Sequence, residues 1–207
     1  MNITAADVAK LRKMTGAGMM DCKNALTEAN GDFDRAQDII REKGKLVASK
    51  RADRTATEGV VVAEIKNGKA YMLCLACETD FVAKNEDFGA SAKEILDLAV
   101  KNDVPDMDTL LVLAMGNGTV ADAVTAKSGQ TGEKVELPFY GRIEAPMCDI
   151  YVHTNRKLGT LVGFNKVISE TVAHDVAMQA AAMAPVAIRK TFVNMSIIFP
   201  PAPEAKE

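Results

Sequence analysis

The dipeptide Asn67-Gly68 lies between two runs of β-forming residues, 60–65 and 71–77. Both of its residues tolerate positive φ, which makes the pair the strongest short signal for a two-residue type I′ hairpin. The middle of the chain is thereby committed to two antiparallel strands in one register. Beyond Thr79 the period changes. Phe88, Ala92, Ile95 and Ala99 step by four, three and four, which defines one face of a long helix bounded by Pro105.

Residues 106–129 predict two short helices separated by Gly116-Asn117-Gly118, then a polar loop through Gly132. Strands resume near Val135. Residues 142–164 read as strand, Asn155-Arg156-Lys157 turn and strand, with Tyr151-Val152 and Leu161-Val162 supplying β propensity. A last helix is predicted with Val172, Val176, Ala180 and Met183 as its apolar stripe, ending before Pro185. Residues 59–190 therefore read as an α+β body, an antiparallel sheet with helices packed against it.

Ahead of this body, residues 1–44 read as a compact three-helix bundle. Thr4 and Asp7 have the spacing of a capping box, and Val8, Leu11 and Met14 follow as a narrow apolar stripe. Thr15-Gly16-Ala17-Gly18 ends the first helix. Cys22, Ala25, Leu26 and Ala29 mark a second, which stops at Asn30-Gly31. Asp32 caps a third carrying Phe33, Ala36 and Ile40, with Gly44 placed to terminate it. Lys43, Lys45, Lys50, Arg51 and Arg54 outweigh Asp53, so residues 45–58 are read as a basic linker. It is either a solvated connector or a surface for an acidic partner. Residues 191–207 end in a proline-rich run and are expected to form a disordered tail.

Composition narrows the function. A chain of 207 residues with 48% hydrophobic and 26% charged residues suits a folded globular protein. A net charge of -3 gives no overall drive toward nucleic acid or an anionic membrane. Aromatic residues make up 5% and tryptophan is absent, so base-stacking platforms are not expected. No apolar run reaches spanning length, the first residues are charged, and four cysteines make no disulfide framework. The expected location is cytoplasmic.

Cys74-Leu75-Ala76-Cys77 has the C-x-x-C spacing of redox dithiols and zinc sites. On a strand, residues three apart point to opposite faces, which favours two buried thiols. A thiol or metal protein built on Cys74 and Cys77 is the alternative from a different class. Cys148 and His153, as nucleophile and base, meet the same objection. Gly129-Gln130-Thr131-Gly132-Glu133-Lys134 lacks the glycine spacing and the hydroxyl residue of a phosphate loop. The expectation is a binding protein rather than an enzyme, with no cofactor and no metal. Residues 78–85 are the most unusual stretch, polar but enclosing Phe81. Local physics makes Asp80 a helix cap and Phe81 a core residue, and a functional role is the other reading.

Two motifs favour the functional role. Leu11-Arg12-x-x-Thr15-Gly16-Ala17-Gly18-Met19-Met20-Asp21-Cys22-Lys23-x-Ala25-Leu26 and Thr79-Asp80-Phe81-Val82-Ala83-Lys84-Asn85 closely resemble those of bacterial elongation factor Ts. Further matches are Gly31-Asp32, Lys43-Gly44, Glu58-Gly59, Val152-His153-Thr154-Asn155 with Leu158-Gly159, and Val176-Ala177-Met178. The resemblance covers residues 1–190 and implies a ubiquitin-associated-like three-helix domain, a linker and an α+β core. It implies a guanine-nucleotide exchange factor that binds elongation factor Tu, GDP-bound or nucleotide-free. By that match Asp80 and Phe81 enter the nucleotide domain of Tu, and the ring disturbs the magnesium environment of GDP. Arg12, Met19, Met20 and Arg51 would meet the partner near the N-terminus, and Leu158-Gly159 would form a contact turn. Gln179 stands where the family commonly has histidine. The family's second core half, coiled-coil insertion and C-terminal helix have no counterpart after Lys190; the alternative within the family is a truncated chain that binds Tu with weak exchange activity, and apolar surface left uncovered there would favour self-association.

Overall fold

A computed structural model describes residues 3–185 and 196–198. The chain falls into two compact units, one grouping Met1–Thr55 with Ala121–Val135 and the other Ala56–Val120 with Glu136–Glu207. The fold is α+β.

In the first unit, α1 (Ala5–Thr15) is opened by a complete capping box: Thr4 Oγ1 accepts from the Asp7 amide at 3.2 Å, and Asp7 accepts from the Thr4 amide at 3.0 Å. It ends at Gly16, whose positive φ lets its amide reach the Arg12 carbonyl. Next come α2 (Met19–Glu28), closed by Asn30-Gly31 with both φ positive, and α3 (Phe33–Lys50), capped by Asp32. Val8, Leu11, Cys22, Ala25, Leu26, Ala29 and Ala36 form the bundle core, while Met14, expected on the apolar stripe, is exposed. Gly44 does not end the third helix. α3 runs on to Lys50, so residues 45–50 of the expected linker are helical.

The reason lies far along the chain. A mid-helix glycine costs only about 1 kcal/mol relative to alanine, and here Gly44 is buried against a helix from residues 120–131. An ideal Cβ on Gly129 would lie 2.5 Å from the Gly44 Cα. Gln130 Nε2 donates to the Thr15 carbonyl at 2.6 Å, and Lys134 Nζ to the Arg54 carbonyl at 2.9 Å.

In the second unit, β1 (Glu58–Lys66) and β2 (Lys69–Cys77) form the expected hairpin, with Asn67 at φ 53 and Gly68 at φ 74. Then follow α4 (Asp80–Ala83), α5 (Glu86–Lys101) and α6 (Met107–Val112). Gly116-Asn117 does more than break a helix, since it turns a small hairpin of β3 (Ala114–Met115) and β4 (Gly118–Thr119). The next helix, α7 (Val120–Thr131), extends through the expected polar loop and packs, from Ala121, in the first unit. β5 (Glu136–Glu144) adds to β2, giving the antiparallel order β1-β2-β5. A further antiparallel sheet holds β6 (Met147–Val152) and β7 (Gly159–Phe164), and α8 (Glu170–Met183) packs on both. Of the expected tail, β8 (Ser196–Ile198) pairs with β7, and the remainder lies outside the described residues.

β2 is covered on both faces. Ala70, Met72 and Cys74 share a core with Cys148 and Leu161 from the second sheet. The alternate residues Tyr71, Leu73, Leu75 and Cys77 point the other way, toward α5. α5 buries Phe88, Ala92, Ile95 and Ala99 as its periodicity predicts. α8 does not follow its predicted stripe. Val172, Val176 and Met183 are exposed, and Ala173, Ala177, Ala180 and Ala181 are buried. Small side chains let the helix lie close to β7, where Thr160 Oγ1 donates to the Ala177 carbonyl at 2.8 Å. Among the described residues no helix is long and apolar enough to cross a membrane.

Candidate partner-binding site

The strand-to-helix junction after β2 builds the most unusual surface of the second unit. Thr79 precedes the single turn of α4, and Asn85 caps α5 by accepting from the Asp87 amide at 2.8 Å. Between these anchors Phe81 is 85% exposed. A buried phenyl ring would stabilise the fold by roughly 1.5–3 kcal/mol, so this position forgoes a substantial gain. The core reading of Phe81 is therefore overturned. Asp80 is not the cap either, because Thr79 occupies that position and Asp80 is the first residue of the turn.

The Asp80 carboxylate accepts from Lys84 Nζ at 2.6 Å. That hydrogen bond holds the Asp80 carboxyl below the usual carboxylate range and pushes the Lys84 ammonium up, with the Lys157 charge adding to the effect on Asp80. A cleft of about 470 Å³ adjoins Asp80, lined among others by Lys84, Asn85, Gly89, Asn155, Arg156 and Lys157. Its far wall is the β6–β7 turn. Arg156 holds φ 56 there and its carbonyl accepts from the Val61 amide at 2.7 Å, while Lys157 pairs with Glu58 of β1. Leu158 follows half-buried, and Gly159 opens β7 in the core. A Cβ on Gly159 would stand 2.8 Å from Val61 Cγ1 and 2.9 Å from Met72 Cε, so any larger residue there would push these core side chains aside. Gln179 is on the exposed face of α8 and does not line the cleft.

In the first unit Arg12 is exposed in the last turn of α1, and Met19 and Met20 are exposed at the start of α2. Helix packing does not account for these two methionines. Arg51 is half-buried as the residue after α3. Sequence reasoning passed over Lys84, Glu58, Arg156 and Lys157 as site residues. The signal available was the Asn155-Arg156-Lys157 turn, although nothing local tied it to residue 80.

The thiol alternative finds no support in the geometry. Cys74 lies in the inter-sheet core, where burial pushes its thiol up to about 12, and Cys77 faces the other way and donates to the Thr79 carbonyl. Cys148 is buried on β6, whereas His153 is exposed and bonded to the Tyr151 hydroxyl. Among the described residues no group of three or more His, Cys, Asp or Glu is arranged to hold a metal ion.

Residues 78–200 match the family model described as Elongation factor TS. The chain is 53% identical over 198 residues to elongation factor Ts of Bacteroides thetaiotaomicron, and 54% over 198 residues to that of Phocaeicola vulgatus. Each match covers 95% of this chain, which spans 60% of the length of those relatives. Elongation factor Ts of Porphyromonas gingivalis is 48% identical over 199 residues, covering 96% of this chain and 73% of the relative. With a family model matched over residues 78–200 and relatives similar over 95–96% of its length, the chain belongs to the elongation factor Ts family.

Proposed function

We propose that this chain is a guanine-nucleotide exchange factor of translation elongation, which binds elongation factor Tu and promotes release of its GDP. The observation that carries the reading is the exposed Phe81 beside a charge-paired Asp80, on a turn anchored by β2 and α5. A large ring presented this way is an anchor that fills a partner's pocket. Magnesium demands near-ideal octahedral geometry, so a ring and a carboxylate inserted near its site on Tu would weaken GDP binding. Exchange then follows from linkage. A partner that prefers nucleotide-free Tu weakens nucleotide binding by the factor by which nucleotide weakens partner binding. No bond is made or broken, so the chain acts as a binding protein.

In this reading Arg12, Met19, Met20 and Arg51 form a second contact surface on the N-terminal unit. Leu158 and Gln179 add contacts from the second unit, and Gly159 lets the Leu158 turn sit against Val61 and Met72.

The test is release of labelled GDP from Tu with and without the chain. Phe81→Ala should lower the release rate about 30-fold, as expected for loss of an aromatic anchor, and should weaken Tu binding less. Unchanged release by a folded variant would remove Phe81 from the mechanism.

A further inference from the structure

The Asp80–Phe81 pair rides on a helix that cannot hold itself. α4 has four residues and buries none of them. A single turn fixes several backbone dihedrals for very few hydrogen bonds, so alone it is unfavourable. Two backbone bonds close it, from the Ala83 amide to the Thr79 carbonyl at 3.2 Å and from the Lys84 amide to the Asp80 carbonyl at 2.9 Å. What ties the side chain of Asp80 is Lys84, whose Nζ donates to Asp80 Oδ2 at 2.6 Å.

This pair does not stand alone. Glu58, at the start of β1, and Lys157, on the β6–β7 turn, are paired with each other, and Lys157 also acts on Asp80 while Glu58 acts on Lys84. Three charges, Asp80 on α4, Lys84 just after it and Lys157 on the β6–β7 turn, thus line the cleft, and Glu58 of β1 backs Lys157 from behind. The geometry points to Lys84 as a positioning residue: its bond to Asp80, backed by the Glu58–Lys157 pair, sets the orientation in which Asp80 and Phe81 meet the partner. This inference rests on the proposed exchange function and adds a role for a residue that need not touch Tu. Because the Lys84 side chain is 74% exposed, its replacement opens no cavity, and the fold is expected to survive it.

The experiment measures GDP release from labelled Tu·GDP over a series of concentrations of the full chain, giving a saturating rate and a half-saturating concentration. The variants are Lys84→Gln, Lys84→Arg, Asp80→Asn and the double variant Asp80→Asn with Lys84→Gln. Lys84→Gln is expected to lower the saturating rate roughly two- to fivefold, the range an exposed ion pair can supply, with a smaller change in half-saturating concentration. Lys84→Arg retains a carboxylate partner and should restore the rate. On the Asp80→Asn background, Lys84→Gln should change nothing. An unaltered rate in Lys84→Gln would overturn the inference, as would the same loss with Asp80 already neutral or a loss confined to half-saturating concentration. If the wild-type chain releases no GDP, the exchange reading fails. The positioning role is then read from amide hydrogen exchange alone. Faster exchange at Ala83 and Lys84 in Lys84→Gln supports it, and unchanged exchange rejects it.

Discussion

Gly44 and Gly129 face each other across α3 and α7, and alanine at the two positions should act in opposite directions. In a helix interior alanine is favoured over glycine by about 1 kcal/mol. At Gly44 the added Cβ would meet the Ala126 Cα at 3.7 Å and the Gly129 Cα at 3.8 Å, which is ordinary contact. Gly44→Ala should therefore stabilise the first unit by about 0.4–1 kcal/mol. At Gly129 the Cβ would lie 2.5 Å from the Gly44 Cα, a backbone atom that cannot swing aside. Forcing the helices apart costs about 1–3 kcal/mol. Displacing α7 also weakens the Gln130 bond to the Thr15 carbonyl, worth about 1 kcal/mol. After the helix gain is set against these, Gly129→Ala should destabilise the unit by about 1–3 kcal/mol. Because the chain falls into two compact units, far-UV circular-dichroism melts are best paired with hydrogen exchange at α3 and α7 amides. For a unit of this size each kcal/mol moves the midpoint by roughly 4–8 °C. A rise in stability with both substitutions would refute the close packing of α3 on α7.

Deleting residues 1–53 uncovers the face of α7 that meets α3, so amides in residues 121–131 should lose protection while the β1-β2-β5 sheet keeps its own. Retained protection in α7 would mean that it stands without the bundle. Gly159→Val places a side chain against Val61 and Met72 and should cost about 1–3 kcal/mol; an unchanged urea midpoint would contradict that crowding. Asp103 is held below the usual carboxylate range first by Lys69 and then by the Tyr71 hydroxyl, which donates to it at 2.6 Å. Its contribution is therefore full above about pH 4, the unfolded value, and fades as pH falls through the lower folded value. Asp103→Asn should be less stable than wild type near neutrality and should lose less on acidification to about pH 3. Equal losses in both proteins would sink this assignment.

Where a local rule and the tertiary packing ask for the same thing, the outcome was legible in advance. Asn67-Gly68 turns the hairpin because both residues accept positive φ, and Thr4 with Asp7 caps α1 because their side chains reach each other's amides within one turn. The stripe of α5 is read correctly because its large residues all lie on one face. On α8 two faces carried apolar residues at helical spacing, and periodicity cannot rank them. The alanine face is buried because the helix lies close to β7, and the valine face is left in solvent.

The candidate site divides in the same way. Its motif stands out in the sequence as a polar stretch around a large ring, and β2 and α5 on either side of it follow from local pattern alone. That Phe81 is exposed rather than buried was decided by the tertiary structure, since β2 is covered by the second sheet on one face and by α5 on the other. The meeting of Asp80 with the turn that holds Lys157, and of Gly44 with Gly129, depends on segments dozens of residues apart. No local propensity encodes such distances. They are set by which backbones can approach closely once the strands have paired, and glycine at residues 129 and 159 permits that approach.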